Sequence, residues 1–278
     1  MLKLSRQQQK TPPAPNVEHD EIADGEGARM GFFEHIEELR QRLTRAVLGL
    51  LVGVGISLFF TAQVMAYLIT PLNQRLVESG QTENLIRLQT LGPTEGVVSY
   101  FRVALLMGGI IAIPVITYQV LAFILPGLTD RERRFLMWSI IPVTILFLVG
   151  VAFAWFLMVP AAIDFLQNFQ SQIFMAEWTA NEYLGFITAL LFWMGVAFET
   201  PLVFFTLSVM GFVTAGSLIR NWRFAIIGAA IAAAMITPTV DPANMALVMG
   251  PLMGLYVLSI LLVYVGARIN RGRNLATA

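Results

Sequence analysis

Cysteine is absent from this 278-residue chain, and histidine occurs only as His19 and His35. These scarcities exclude disulfides, thiolate metal sites and cysteine nucleophiles, and leave too few ligands for a transition-metal centre. No cofactor is expected. Charge is scarce as well: 13% of residues are Asp, Glu, Lys or Arg, against roughly 25% in soluble domains. With 56% hydrophobic residues, the chain lacks the polar groups needed to cover a water-facing surface. Lipid as solvent removes that requirement. The formal net charge is zero, so no nucleic-acid partner is indicated.

Large apolar side chains are rare in residues 1–30, which carry Thr11-Pro12-Pro13-Ala14-Pro15 and an acidic run from Glu18 to Glu26. Such a segment buries too little to offset its ordering entropy, and it reads as a cytoplasmic tail. No apolar core follows Lys3 and Arg6 closely, so a signal peptide is not expected. The remainder divides into a membrane domain over 31–267 and a second cytoplasmic tail over 268–278.

Apolar stretches near the ~20 residues that cross the hydrocarbon fall at about 44–64, 97–124, 135–157, 184–212, 223–237 and 245–267. The fifth is short, but Arg220, Trp222 and Arg223 anchor one end and Thr237-Pro238 closes the other. The expected fold is all-α and polytopic, with six transmembrane helices. Basic residues set the orientation. Arg40, Arg42 and Arg45 stand before the first stretch, Arg131, Arg133 and Arg134 between the second and third, and Arg268, Arg271 and Arg273 after the sixth. Only Arg75, Arg87 and Arg102 fall on the opposite side. Both termini are therefore expected in the cytoplasm, in a multi-pass protein of the plasma (inner) membrane. No fixed-period repeat or inverted symmetry is visible. Gly49-x-x-x-Gly53 and Gly250-x-x-x-Gly254 read first as helix-packing pairs.

Three places hold polar groups of interest. Phe32, Ile36, Leu39 and Leu43 share one helical face just before the first stretch, with Glu34, Glu38 and Arg42 on another. That pattern predicts an amphipathic helix at the cytoplasmic interface; a plain topology anchor fits the same spacing. In Leu128-Thr129-Asp130-Arg131-Glu132-Arg133-Arg134, Asp130 or Thr129 suits a helix cap with Glu132 in the first turn. Glu38 and Glu132 would then stand at one membrane surface, each able to accept a guanidinium. The third is Glu199, in Phe198-Glu199-Thr200-Pro201 within an apolar stretch. An ionised carboxylate there costs at least ~2.5–3.5 kcal/mol on insertion scales, so Glu199 is expected to face the protein interior or a wet cavity.

Taken together, several segments resemble the TatC family, the multispanning core subunit of the twin-arginine protein translocase. They are His35 to Leu43, Pro93-Thr94-Glu95, Pro114 to Gln119, Phe123 with the Pro-Gly-Leu loop to Arg134, Phe198 to Pro201, and Thr237-Pro238 with Asp241. The resemblance implies a non-enzymatic receptor for twin-arginine signal peptides of folded cargo, working with the proton-motive force. It implies that Glu38 and Glu132 meet the arginine pair, with His35, Arg40, Phe123 and Arg134 nearby. It places Glu199 on the concave face of a cupped helix arrangement. It sets Thr237 where small single-span subunits of the TatA/TatB type dock, and it implies self-association in the complex. Met245 and Val257 stand where the family often has Gln and Glu, which touches the polar detail of docking.

Two other classes compete. A proton-coupled secondary transporter using Glu199 would need paired broken helices, and only one interrupted stretch is apparent. An intramembrane hydrolase would need a Ser–His, Asp–Asp or His-Glu-x-x-His arrangement, which the stretches lack.

Overall fold

The computed structural model describes residues 32–73, 88–124, 137–138, 140–168, 178–209, 211–237 and 242–276. All regular structure among them is helical, apart from one bridge between Gln89 and Thr179. The helices are α1 (Phe32–Ser57), α2 (Thr61–Leu68), α3 (Glu95–Ile124), α4 (Ile140–Phe153), α5 (Val159–Asn168), α6 (Ala180–Phe198), α7 (Thr200–Val209), α8 (Ala215–Arg220), α9 (Trp222–Ile236) and α10 (Pro242–Ala276).

Among the described residues, four helical stretches are long and apolar enough to cross a membrane: Glu95–Phe123, Ile140–Asn168, Ala180–Val209 and Met245–Ala267. The pair Ile36–Ser57 and Thr61–Asn73, bent by 78°, makes a fifth if taken as one span. α9 is apolar but only 15 residues long, about 22 Å at 1.5 Å per residue. That falls short of the ~30 Å hydrocarbon layer.

The boundaries differ from expectation in three places, the first two for a local reason. The first apolar stretch is not one straight helix. α1 ends at Ser57, where Tyr100 Oη donates to the Leu58 carbonyl (2.8 Å) and Ser57 Oγ donates to the Ala104 carbonyl (2.7 Å). These bonds to α3 hold the chain at the point where the helical ladder breaks and α2 turns away. The third stretch runs on past residue 157 to Asn168. Pro160 has no N–H to give, and a wide π-type turn over Ala154–Met158 absorbs the defect. The last helix continues beyond residue 267 to Ala276.

Small residues set the closest helix crossings, as they must where lipid supplies no hydrophobic drive between helices. α1 meets α3 at Gly53 and Gly108: a Cβ on Gly53 would lie 2.5 Å from the Gly108 carbonyl oxygen. Gly49 also faces α3, through Val115, so the first glycine pair packs inside the chain as expected. A Cβ on Gly250 or Gly254 would meet nothing within 4 Å, so the second pair does no packing among the described residues. α4 crosses α6 where Gly150 touches the Met194 carbonyl and Gly195 takes the Phe147 ring.

α6 is the central element. Tyr183, Leu184, Ile187, Leu190 and Met194 are fully buried on it. Tyr183 Oη donates to the Leu68 carbonyl at 2.8 Å, pinning α6 to the end of α2. Two backbone bonds, Gln89 N–H to the Trp178 carbonyl and Ala180 N–H to the Gln89 carbonyl, tie the approaches to α3 and α6 together. The outward apolar residues, such as Leu51, Val52, Ile145 and Leu261, form the surface that lipid covers.

Candidate functional site

α1 carries the amphipathic segment and the first apolar stretch as one uninterrupted helix. Its expected apolar face, Ile36, Leu39 and Leu43, is exposed, as a face meant for the interface would be. The acidic and basic residues pair at helical spacing. Arg40 bonds Glu37 across one turn, and both are largely exposed, at 75% and 61%. Such a pair contributes little.

Glu38 and Arg42 differ: their side chains are 14% and 21% exposed. Arg42 Nε donates to Glu38 Oε1 at 2.8 Å, and Nη2 donates to the same oxygen. Glu38 Oε2 is buried without a hydrogen-bond partner among the described residues. A buried acceptor left unmet costs about 1–3 kcal/mol, which makes this oxygen a ready acceptor for an incoming donor. A guanidinium that gripped both oxygens would have to displace Arg42. One that leaves Arg42 in place is confined to Oε2. The i,i+4 spacing of Glu38 and Arg42 was visible in the sequence, but the division of labour between the two oxygens was not.

Phe123 lies half-buried near the end of α3. His35 belongs to α1, but its side chain lies outside the described residues, as do Glu132 and Arg134. The structure therefore positions Glu38, Arg40 and Phe123 of this group.

Glu199 sits at the break between α6 and α7. Pro201 cannot donate to the carbonyl four residues back. The ladder is repaired around it by Glu199 N–H to the Val196 carbonyl (3.1 Å) and by Leu202 and Val203 N–H to the Glu199 carbonyl (3.0 Å each). The carboxyl faces a cavity of about 1220 Å³ lined mainly by α3, α6 and α7, with Ile113, Thr117, Thr188 and Phe192 among its walls. Glu199 Oε1 is buried with no partner among the described residues. The Thr188 and Thr206 hydroxyls that also line the cavity are turned onto their own helices, donating to the Leu184 and Leu202 carbonyls. The expectation of an interior or cavity-facing glutamate is thus met. Gln119 Oε1, also buried and unpartnered among the described residues, is on the same helix as Thr117 and closes the Pro114 to Gln119 segment.

Arg102 was passed over as one of three outer-side charges, yet it lines this cavity. Its Nη1 donates to the Asn181 carbonyl at 2.9 Å. Gly185 makes room for it, since a Cβ there would overlap Nη1. An arginine inside an apolar run is as much an outlier as Glu199, and that signal was available.

Thr237 ends α9. It is buried, and both its N–H and its hydroxyl donate to the Ala233 carbonyl at 2.9 Å. At the start of α3, Glu95 of the Pro93-Thr94-Glu95 segment reaches back to the Leu91 and Gly92 N–H groups, at 2.6 and 3.4 Å.

Comparison with known proteins agrees with this architecture. The family model "Sec-independent protein translocase protein (TatC)" matches residues 34–251. A Sec-independent protein translocase protein TatC of Deinococcus radiodurans is 37% identical over 251 residues, covering 90% of this chain and 92% of that protein. The Synechocystis TatC is 32% identical over 237 residues, covering 85% and 88%. The chloroplast protein of Pisum sativum is 32% identical over 228 residues, 82% of this chain. Against that longer relative and the Arabidopsis one, the chain spans only 62% and 64% of their length. A crystal structure described as the twin arginine translocase receptor TatC superposes with a TM-score of 0.73 at 32% identity, covering 84% of this chain and 99% of that one. A second, in the detergent DDM, gives 0.72 at 33% identity, covering 82% and 98%. With its long apolar helices and a family match over most of its length, this multi-pass membrane protein belongs to the TatC family of Sec-independent protein translocase proteins.

Proposed function

We propose that this chain is the receptor subunit of a twin-arginine translocase, binding signal peptides of folded cargo at its cytoplasmic face. The observation that carries the reading is Glu38: a largely covered carboxylate with Oε1 held by Arg42 and Oε2 buried without a donor among the described residues. One arginine of the peptide donates to Oε2, and the second meets Glu132. His35, Arg40, Phe123 and Arg134 flank the pair. Likeness to crystal structures described as a twin arginine translocase receptor supports the same reading.

In this proposal the bent pair counts as one span and α9 as another, giving six. Both termini are cytoplasmic, the helices form a cup, and the membrane is the plasma (inner) membrane. The arginine asymmetry favours that orientation. Glu199 serves as the intramembrane functional group within the cup. The α9–α10 end, with Thr237, receives small single-span subunits of the TatA/TatB type, and copies of the chain associate in the assembled complex. Transport draws on the proton-motive force.

A twin-arginine peptide with a photoreactive group beside its arginine pair tests the central assignment. Crosslinks should map to the segments around Glu38 and Glu132 and vanish when a twin-lysine peptide is used. Adducts confined to the cavity around Glu199 would favour the transporter reading instead.

A further inference from the structure

Arg102, like Glu199, is a charged side chain set several residues inside an apolar span, and the receptor reading gives it no work. It lies seven residues into α3, about 10 Å below the start of that helix at 1.5 Å per residue. Helical side chains lean toward the N-terminus, so the guanidinium reaches back to the level where headgroups meet hydrocarbon. It is half-buried. One N–H bonds the Asn181 carbonyl, out of five that an arginine offers. Among the described residues no carboxylate pairs with it; the ion pairs there are Arg40–Glu37 and Arg42–Glu38. Glu182, exposed, stands on the rim of the same cavity.

Below this rim the walls turn apolar, through Leu105, Leu106, Gly109, Phe186 and Ala189. Between Arg102 and Leu121, both of which line the cavity, α3 rises about 28 Å, close to the ~30 Å hydrocarbon thickness. The cavity therefore joins a cationic fork at headgroup depth to an apolar channel running down through the acyl layer.

We propose that this end of the cavity is a phospholipid-binding site. The lipid phosphate accepts from the N–H groups of Arg102 that Asn181 leaves free. A cationic headgroup such as ethanolamine faces Glu182, and one acyl chain lies along Leu105, Leu106 and Phe186. Phosphate matches the planar guanidinium fork, and a lipid supplies anion and apolar chain at the two depths where the walls call for them. Gly185 belongs to the site, because a side chain there would push the guanidinium aside. The site is separate from the peptide-binding assignment: Phe123, which flanks that assignment, lies 21 residues further along α3 than Arg102, about 31 Å at 1.5 Å per residue.

Native mass spectrometry of the delipidated full chain, titrated with phosphatidylethanolamine, tests this. Wild type should retain one lipid more tightly than Arg102→Gln by roughly ten- to a hundredfold, the loss of a charge-assisted pair. Arg102→Lys, which keeps the charge, should recover part of the difference. Diacylglycerol, which has no phosphate, should bind wild type and Arg102→Gln alike. A phosphatidylethanolamine carrying a diazirine in its acyl chain should label residues 105–113 and 185–192. Equal lipid retention by wild type and Arg102→Gln would overturn the proposal. So would a photocrosslinker at Leu105 that captures a polypeptide in place of lipid in intact membranes. Twin-arginine peptide binding, measured on the same samples, should be unchanged by Arg102→Gln, which separates failure of this site from failure of the receptor reading.

Discussion

Replacing Gly53 by alanine adds one methyl at the tightest point between α1 and α3. That Cβ would lie 2.5 Å from the Gly108 carbonyl oxygen and 3.2 Å from its carbon. The obstacle is backbone and cannot rotate away, and ordinary contact begins near 3.4 Å. The helices must therefore separate by about 1 Å, an overpacking that typically costs 1–3 kcal/mol. Alanine also gains about 0.8–1.0 kcal/mol of helix propensity over glycine, so the net loss should be about 0–2 kcal/mol. The reverse substitution, Gly108→Ala, meets Val54 N and Cα at 2.6 and 2.7 Å and should cost as much. Gly55→Ala, on the same helix with nothing within 4 Å, keeps only the propensity gain and should stabilise. Gly49→Ala meets a movable Val115 methyl at 2.8 Å and should fall between. Thermal unfolding of the detergent-solubilised variants at one scan rate gives the order Gly55→Ala, wild type, Gly49→Ala, then Gly53→Ala with Gly108→Ala. If Gly53→Ala proved as stable as Gly55→Ala, the close α1–α3 crossing would be wrong.

Three further outcomes follow from particular contacts. Tyr183→Phe leaves the Leu68 carbonyl without its buried donor and should cost about 1–3 kcal/mol, read as a lower unfolding temperature with peptide binding intact. Leu91 and Phe212 are 79% and 73% exposed, and the chain has no native cysteine; Leu91→Cys should react with an impermeant maleimide from outside and Phe212→Cys should not, whereas the reverse would invert the topology. Glu199→Gln keeps a hydrogen-bonding group in the cavity and Glu199→Ala removes it. With hydrogen bonding in the cavity as its role, transport should survive the first and fail with the second, and full transport by the alanine variant would reduce Glu199 to packing.

The long apolar runs made the membrane helices legible, because lipid leaves few other solutions for 20 apolar residues in a row. Glu199 beside Pro201 was legible for the same reason: a carboxyl and a missing N–H both stand out against such a background. The bend after Ser57 was not. No proline marks it, Gly55 two residues upstream is one of several glycines in the run, and the bonds that hold the bend reach to Tyr100 and Ala104, more than forty residues away. Pairing the two glycines of the α1–α3 crossing requires knowing which helices touch, which periodicity within either helix cannot tell. Arg102 reads in the sequence as a topological charge; that its side chain bonds α6 is a tertiary fact. Glu38 was singled out by spacing and resemblance, but the covered state of its second oxygen, with no partner among the described residues, emerges only when the helix is packed.

The affinity of a twin-arginine peptide for the full-length protein, with Glu38 and Glu132 intact or replaced by alanine, tests the receptor account most directly. Fluorescence anisotropy at fixed ionic strength suffices. Loss of a charge-assisted pair of roughly 1.5–3 kcal/mol predicts a Kd about ten- to a hundredfold weaker for Glu38→Ala. The double variant should be weaker still, and a twin-lysine peptide poor against wild type because an ammonium is a point charge. Equal affinity of wild type and the double variant for the twin-arginine peptide would contradict the account.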